Sequence, residues 1–250
     1  MRCVYPMIMN HTFIWASVLM GVVATTTPRP AASQQFEFNE FHTWTDVATI
    51  YKFSDTFRYD GDYGIRGFLT DDDWTLIYLR PSVRYQSRPW LRLHGGVALF
   101  YNFFKTVEDV PELRPWVGVR FVGPSPGGWV ISNYLRLEGR AFYLKDEDKW
   151  DTVLRGRWQV QVTTPDFAIR TSERFYALAS IEPFTGFGAS INGILGERIR
   201  TNIGMGKRVT PALRIDLNYV FHRIRVSETG RDFDLDDHVV RLRFFYTFKG

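Results

Sequence analysis

The chain has 250 residues, 16% of them aromatic, with 31 basic against 27 acidic side chains and a formal net charge of +4. A mean hydropathy of −0.20 excludes a bundle of membrane-spanning helices, and beyond the N-terminus no apolar run nears the ~20 residues such a helix needs. One cysteine, Cys3, excludes a disulfide framework and a thiolate metal site, and the lack of a dense Lys/Arg block argues against nucleic acid as a partner.

At the N-terminus Arg2 precedes an apolar stretch from Thr12 to Thr25, followed by the small residues Ala31, Ala32 and Ser33. The stretch is too short to stay in a bilayer and has the layout of a secretory signal, so residues 1–33 are expected to be removed. Residues 34–250 are then expected to form a single domain. No cysteine follows the apolar run, so no lipid anchor is expected.

From Trp44 onward, long alternating segments are separated by turn chemistry. The predicted strands are Trp44–Lys52, Phe57–Leu69, Trp74–Gln86, Trp90–Lys105, Leu113–Val122, Trp129–Lys145, Thr152–Thr164, Arg170–Phe184, Glu197–Val209, Ala212–Val226 and His238–Phe248. Most exceed the ~5–6 residues of a soluble strand and reach the ~9–11 of a tilted membrane strand. Short connections (Ser54–Asp55, Ser87–Pro89, Pro124–Gly128, Pro165–Phe167, Thr210–Pro211) alternate with longer or more acidic ones (Asp71–Asp73, Thr106–Glu112, Asp146–Trp150, Gly186–Gly196, Ser227–Asp237). Outer-membrane barrels have this asymmetry. If the last strand descends to the periplasm, so does Trp44–Lys52, and Gln35–Phe41 is expected to supply an ascending strand before it. The expected fold is all-β: an antiparallel up-and-down transmembrane barrel of about twelve strands, with ten as the alternative.

The two faces of these strands differ in chemistry. In Trp129–Lys145, Ile131, Leu135, Leu137 and Tyr143 oppose Ser132, Arg136, Glu138 and Arg140. In the next strand Leu154, Trp158, Val160 and Val162 oppose Arg155, Arg157, Gln159 and Gln161. In the last, Val240, Leu242, Phe244, Tyr246 and Phe248 oppose Arg241 and Arg243. Such a face in water would share its cations with lysine, whereas a confined interior favours the forked pairing of arginine. The expected interior therefore contains Arg136, Glu138, Arg140, Arg155, Arg157, Glu182, Arg198, Arg200, Arg241 and Arg243, with His94 and His222 capping hydrogen-bond networks. Hairpin register suggests Glu138 opposite Arg157, Arg140 opposite Arg155 and Glu182 opposite Arg198. A soluble barrel holding an apolar ligand also alternates, but needs its apolar face inside.

The last strand ends in Phe244, Tyr246 and Phe248 and resembles the aromatic assembly signal of outer-membrane barrels, although Lys249 and Gly250 follow the final aromatic. Four segments are similar to the uncharacterised bacterial family called domain of unknown function 2490. They are Trp44 with its following strand, Tyr134–Arg140, Leu154–Val160 and Arg198–Tyr219. That resemblance implies a porin-like barrel in the outer membrane of a Gram-negative cell, in contact with its lipid and lipopolysaccharide and inserted by the barrel-assembly machinery. It carries no catalytic residue to transfer.

Searching for chemistry gives little. Ser190 in Gly188–Gly193 misses a nucleophile elbow by one residue, and no histidine pattern completes a serine triad or a zinc site. The acidic clusters Asp71–Asp73 and Asp232–Asp237 read as solvated loops facing a divalent-bridged surface, or as weak Ca²⁺ ligands. Gly95, Gly96, Gly204 and Gly206 read as sites of bending or close packing. No enzyme activity, cofactor or metal is expected. The leading expectation is a structural or small-solute, anion-transporting barrel with an arginine-rich lumen. A lipid-modifying barrel enzyme and a soluble apolar-ligand barrel remain as alternatives.

Overall fold

The computed structural model describes residues 41–69, 73–169, 174–187, 198–224 and 235–248. They form twelve strands in one sheet: β1 (Phe41–Lys52), β2 (Phe57–Phe68), β3 (Trp74–Arg80), β4 (Ser82–Arg88), β5 (Leu91–Phe104), β6 (Val110–Val122), β7 (Val130–Leu144), β8 (Lys149–Thr163), β9 (Phe175–Phe187), β10 (Arg198–Arg208), β11 (Leu213–Ile224) and β12 (Leu235–Phe248). Both β3 and β4 lie between β2 and β5. They are two lengths of one strand, broken at Pro81, which has no N–H to give the ladder. The barrel wall therefore has eleven staves.

Closure departs from the expected all-antiparallel plan. β1 pairs with β2 on one side and with β12 on the other, and the β1–β12 ladder is parallel, from Phe41 opposite His238 to Tyr51 opposite Phe248. The parity count rightly sets the first and last strands in one direction. The inferred additional strand is the correction. Both edges of β1 are already occupied, so no strand stands between it and β12. Co-directional strands hydrogen-bond directly with evenly spaced bonds. Of the stretch Gln35–Phe41, only Phe41 lies within the described residues, and it begins β1.

One rim carries the connections 53–56, 89–90, 123–129, 164–174 and 209–212, with Phe248. The other carries 69–73, 105–109, 145–148, 188–197 and 225–234, with Phe41. Several predicted boundaries move: β1, β6, β8 and β12 each begin three residues earlier than expected, at Phe41, Val110, Lys149 and Leu235. Of the strand expected at Arg170–Phe184, positions 170–173 lie outside the described residues; β9 runs from Phe175 to Phe187, three residues beyond the expected end, and a bridge pairs Phe167 with Phe175. The expected connection Asp146–Trp150 is a tight turn at 145–148, with Asp148 in the left-handed region (φ 46°).

The alternation sorts the two faces. Val117 is 60% exposed, Leu217 56%, Ile203 55% and Trp158 49%, all pointing outward, whereas Asp46 and Glu138 are 0% exposed inside. The interior also holds apolar patches: Leu76, Tyr78, Ala98 and Phe100 form one, Trp44, Val220 and Val239 another.

A three-strand motif recurs on the inner face. Gly64 of β2 stands between Asp46 of β1 and Tyr78 of β3 in register. Tyr78 reaches across the glycine and donates its hydroxyl to Asp46 Oδ1 at 2.5 Å and to Asp62 Oδ1 at 2.9 Å. Gly206 stands likewise between Tyr176 and Asp216, and Tyr176 donates to Asp216 across it. A side chain would block the crossing: a Cβ on Gly64 would lie 2.5 Å from Asp46 Oδ1 and 2.7 Å from Tyr78 Cε1. The close-packing reading of Gly206 thus acquires a specific cause.

Gly64→Ala is expected to destabilise the folded barrel by ~1–3 kcal/mol through overpacking. Denaturant titration measures it, and Tyr78→Phe in the Gly64→Ala background should add little, since both changes remove the same contact. The seam makes a separate prediction. Thr45 and Leu242 are Cα partners, so the pair Thr45→Cys and Leu242→Cys should cross-link with a short bis-thiol reagent, while Thr45→Cys with Phe248→Cys should not.

Candidate functional site in the barrel interior

Inward positions on neighbouring strands are ~4.5–5.5 Å apart between Cα atoms, so an arginine on one strand reaches carboxylates on its own and both adjacent strands. Three networks result.

The first is a run of neighbouring clusters from β6 round to β1. Glu112 accepts two bonds from Arg114 (2.7 Å each) and two from Arg140 (2.7 and 3.1 Å). Glu138 is the centre of the wall. Arg155 donates to its Oε2 at 2.9 and 2.5 Å, and Arg157 donates to Oε1 at 2.7 Å. Arg136 Nε lies 2.9 Å from the same Oε1 and the guanidinium rests 3.9 Å over Trp116. Arg157 also donates to Glu182 at 3.0 and 2.7 Å, as does Arg200 at 3.2 Å. Arg200 continues to His222 Nε2 at 2.8 Å. Asp237 then lies 3.8 Å from His222 and 3.9 Å from His42.

The second network holds the seam. Asp46 takes Arg241 and, at 3.5 Å, Arg243, while Asp62 takes Arg80 and, at 3.6 Å, Arg243. The third lies near the rim of short connections. There Asp60 sits 3.0 Å from Arg58 and 3.6 Å from Arg84.

Aromatic rings form shelves under the cations. Arg66 lies 4.1 Å over Trp44, Arg114 3.9 Å over Phe100 and Arg214 3.7 Å over Phe245. Arg155, Arg157 and Arg200 all sit about Phe184 at 5.2, 4.7 and 4.9 Å. A desolvated cation over a ring gains ~2 kcal/mol or more, which helps an interior with more arginines than carboxylates.

The expected pairings are displaced by two residues, which keeps every side chain on its predicted face. Glu138 stands opposite Arg155, Arg136 opposite Arg157, Arg140 opposite Val153 and Glu182 opposite Arg200. The tight 145–148 turn sets the first shift. Arg157 still bonds Glu138, but diagonally, and Arg140 turns to Glu112 instead of lying opposite Arg155. Arg198 opens β10 opposite Phe184. Phe244, Tyr246 and Phe248 lie beside Val47, Thr49 and Tyr51 of β1, so the aromatic end of the chain forms part of the seam.

Sequence reasoning named only two interior carboxylates. Asp46, Asp60, Asp62, Glu112 and Asp216 share strand parity with the inward arginines, and that signal was available. Asp237, taken as part of an acidic loop, faces inward from β12 between two histidines. The inward aromatics Trp44, Trp116 and Phe184 carry no such signal, because parity alone does not say that a ring supports a cation. His94 does lie inward, tilted against Tyr134 at 5.3 Å. Ser190 and Asp71–Asp72 lie outside the described residues, while Asp73 pairs with Lys105 at 3.7 Å near the rim. Among the described residues no group of acidic, histidine or cysteine side chains is arranged to hold a metal ion.

Residues 41–234 match the family model described as "Protein of unknown function (DUF2490)". The chain belongs to this family. The match runs from the first residue of β1 to the connection before β12, so it covers the Glu112, Glu138, Glu182 and Asp60 clusters, while Asp237, Arg241 and Arg243 of β12 lie beyond it. No curated protein matches the sequence.

Glu138 carries the sharpest stability prediction for this DUF2490 barrel. Glu138→Gln leaves Arg136, Arg155 and Arg157 without their shared anion, and removing one member of a buried ion pair costs ~3–5 kcal/mol. The denaturation midpoint should fall accordingly, whereas Glu147→Gln, in an exposed turn, should change it by less than ~0.5 kcal/mol.

Proposed function

We propose that this chain is an outer-membrane β-barrel, exported with loss of residues 1–33, whose arginine-rich interior passes or holds small anions. The observation that carries the reading is the inversion of the two faces: large apolar side chains are exposed outside and charged ones are buried inside. Water on the outside would oppose that arrangement. A hydrocarbon surround favours it, because a closed sheet leaves no backbone group unpaired in lipid.

Dimensions agree. The unbroken strands run from 11 residues in β10 to 15 in β7 and β8. At ~3.3 Å per residue and ~40° of tilt, a strand of ~13 residues spans ~33 Å, close to the ~30 Å hydrocarbon core. The exposed Trp90, Trp129, Phe167 and Phe248 sit at the rim of short connections, where an interfacial belt belongs. The last strand ends at that rim, which we place at the periplasm; the other rim then faces outward, toward lipopolysaccharide. Rings of arginine favour anions over cations.

Two measurements test the proposal. Fractionation of expressing cells should recover the protein only with detergent. Planar-bilayer recordings of the refolded protein in a KCl gradient should give a reversal potential on the chloride side. Native protein in the detergent-free periplasmic fraction sinks the membrane reading, and insertion without conductance sinks the transport half of it.

A further inference from the structure

Like charges directly opposite on neighbouring strands repel each other, so an arginine pair in that position needs a shared anion or private ones. Four such pairs occur on the inner face. Arg58 faces Arg84, and Asp60 bridges them at 3.0 and 3.6 Å. Arg136 faces Arg157, and Glu138 bridges them at 2.9 and 2.7 Å. Arg208 faces Arg214, and each has its own acid, Asp166 at 2.9 Å and Asp216 at 3.3 Å. Arg92 faces Arg120. Among the described residues neither has a carboxylate within ion-pair distance, and the Nε atom of each is buried without a hydrogen-bond partner.

The surroundings point these groups at one another's neighbourhood. Arg120 lies 4.6 Å over the ring of Tyr134. His94 tilts against the same ring at 5.3 Å, and its Nε2 is also buried and unpartnered. His94 stands opposite Arg84 on one side and Gly118 on the other, and lies within the electrostatic reach of Arg120, Arg58, Arg92 and Arg136. Gly118 leaves room that Tyr134 fills from above. The nearest acids are engaged elsewhere: Asp60 with Arg58 and Arg84, Glu182 with Arg157 and Arg200. Asp60 lies within the electrostatic reach of Arg92 and Arg120, but among the described residues no carboxylate is in ion-pair contact with either; the result is a cluster of donors near the rim that carries Phe248, with positive charge from several strands.

We infer that Arg92, Arg120 and His94 form a binding site for a tetrahedral oxyanion of the phosphate class. Two guanidinium forks and an imidazole N–H match the several acceptor oxygens and the charge of phosphate. The inference rests on the proposed water-accessible interior and names the anion class that this interior holds.

Gln86 supplies the test. It stands opposite Arg92 on the same face, so Gln86→Glu places a carboxylate where the bound anion would act. The refolded full-length protein, verified as folded by heat-modifiable gel migration, is titrated with inorganic phosphate at low ionic strength by calorimetry. Wild type should bind saturably. Arg92→Gln or Arg120→Gln should weaken binding by ~10-fold or more, the loss of a charge-assisted bond. Gln86→Glu should abolish binding and raise the thermal midpoint, and Arg214→Gln, at the same rim but with its own acid, should leave binding unchanged. Micelles doped with phosphatidic acid separate two sources of the ligand: displacement of phosphate by the lipid assigns a headgroup, and no displacement assigns a free solute. A folded, membrane-inserting wild type that fails to bind phosphate, or an equal loss in Arg214→Gln, overturns the site and leaves the barrel reading intact. A wild type that never folds in micelles counts against the barrel reading itself. If Arg92→Gln misfolds, Gln86→Glu alone decides, because it adds a compensating charge and removes none.

Discussion

A carboxylate with no exposed surface persists only where cations replace its lost water, and Glu138 is the point on which this interior depends. Three arginines from two strands converge on it. Those arginines repel one another and are held together by the acid between them, so acid and cations are mutually obligatory. The same logic repeats at Glu112, Glu182, Asp46 and Asp62. A buried ion pair often adds little net stability compared with a well-packed apolar pair. What the networks give this wall is registry, because a one-residue slip of any strand would carry its charges onto the outer, apolar face.

The networks also do work that backbone pairing alone leaves undone. The glycine crossings at Gly64 and Gly206 let a tyrosine on one strand reach an aspartate two strands away, so the wall is tied beyond nearest neighbours. Aromatic shelves take up guanidinium groups that exceed the carboxylates in reach. Their planarity suits arginine and not lysine, which explains why the inward cations are so uniformly of one kind.

Much of this was legible from residue order. Alternation placed Arg136, Glu138, Arg155 and Arg157 on one face, and Leu135, Leu137, Leu154 and Trp158 on the other. Turn chemistry separated the two rims. The misses have physical causes. Register depends on the backbone of a turn, and the tight turn with its left-handed residue at Asp148 sets every β7–β8 partner two residues from the expected one. Pro81 splits a stave without ending it, since strands on both sides keep their hold on the two halves. Parity sets the first and last strands in one direction, but no local pattern shows that they pair directly, because pairing between distant segments is a property of the closed sheet. The Asp237 contacts were hidden for a related reason: an acid beside a long acidic connection looks solvated until the strand that begins there turns it inward.

The parallel seam has a consequence for how the barrel comes into being. Every other neighbouring pair is joined by a connection of modest length, so hairpins can add one after another along the chain. The seam cannot form that way, because its partners Arg241 and Asp46 are separated by 195 positions. Contacts of such separation carry the largest loop-closure entropy and set the slow step of folding. Until the seam closes, β1 and β12 each present an unpaired edge, the arrangement most open to pairing with another chain. Asp46, reaching across that last gap to Arg241 and Arg243, therefore acts as the clasp of a curved sheet: it chooses which edge meets which.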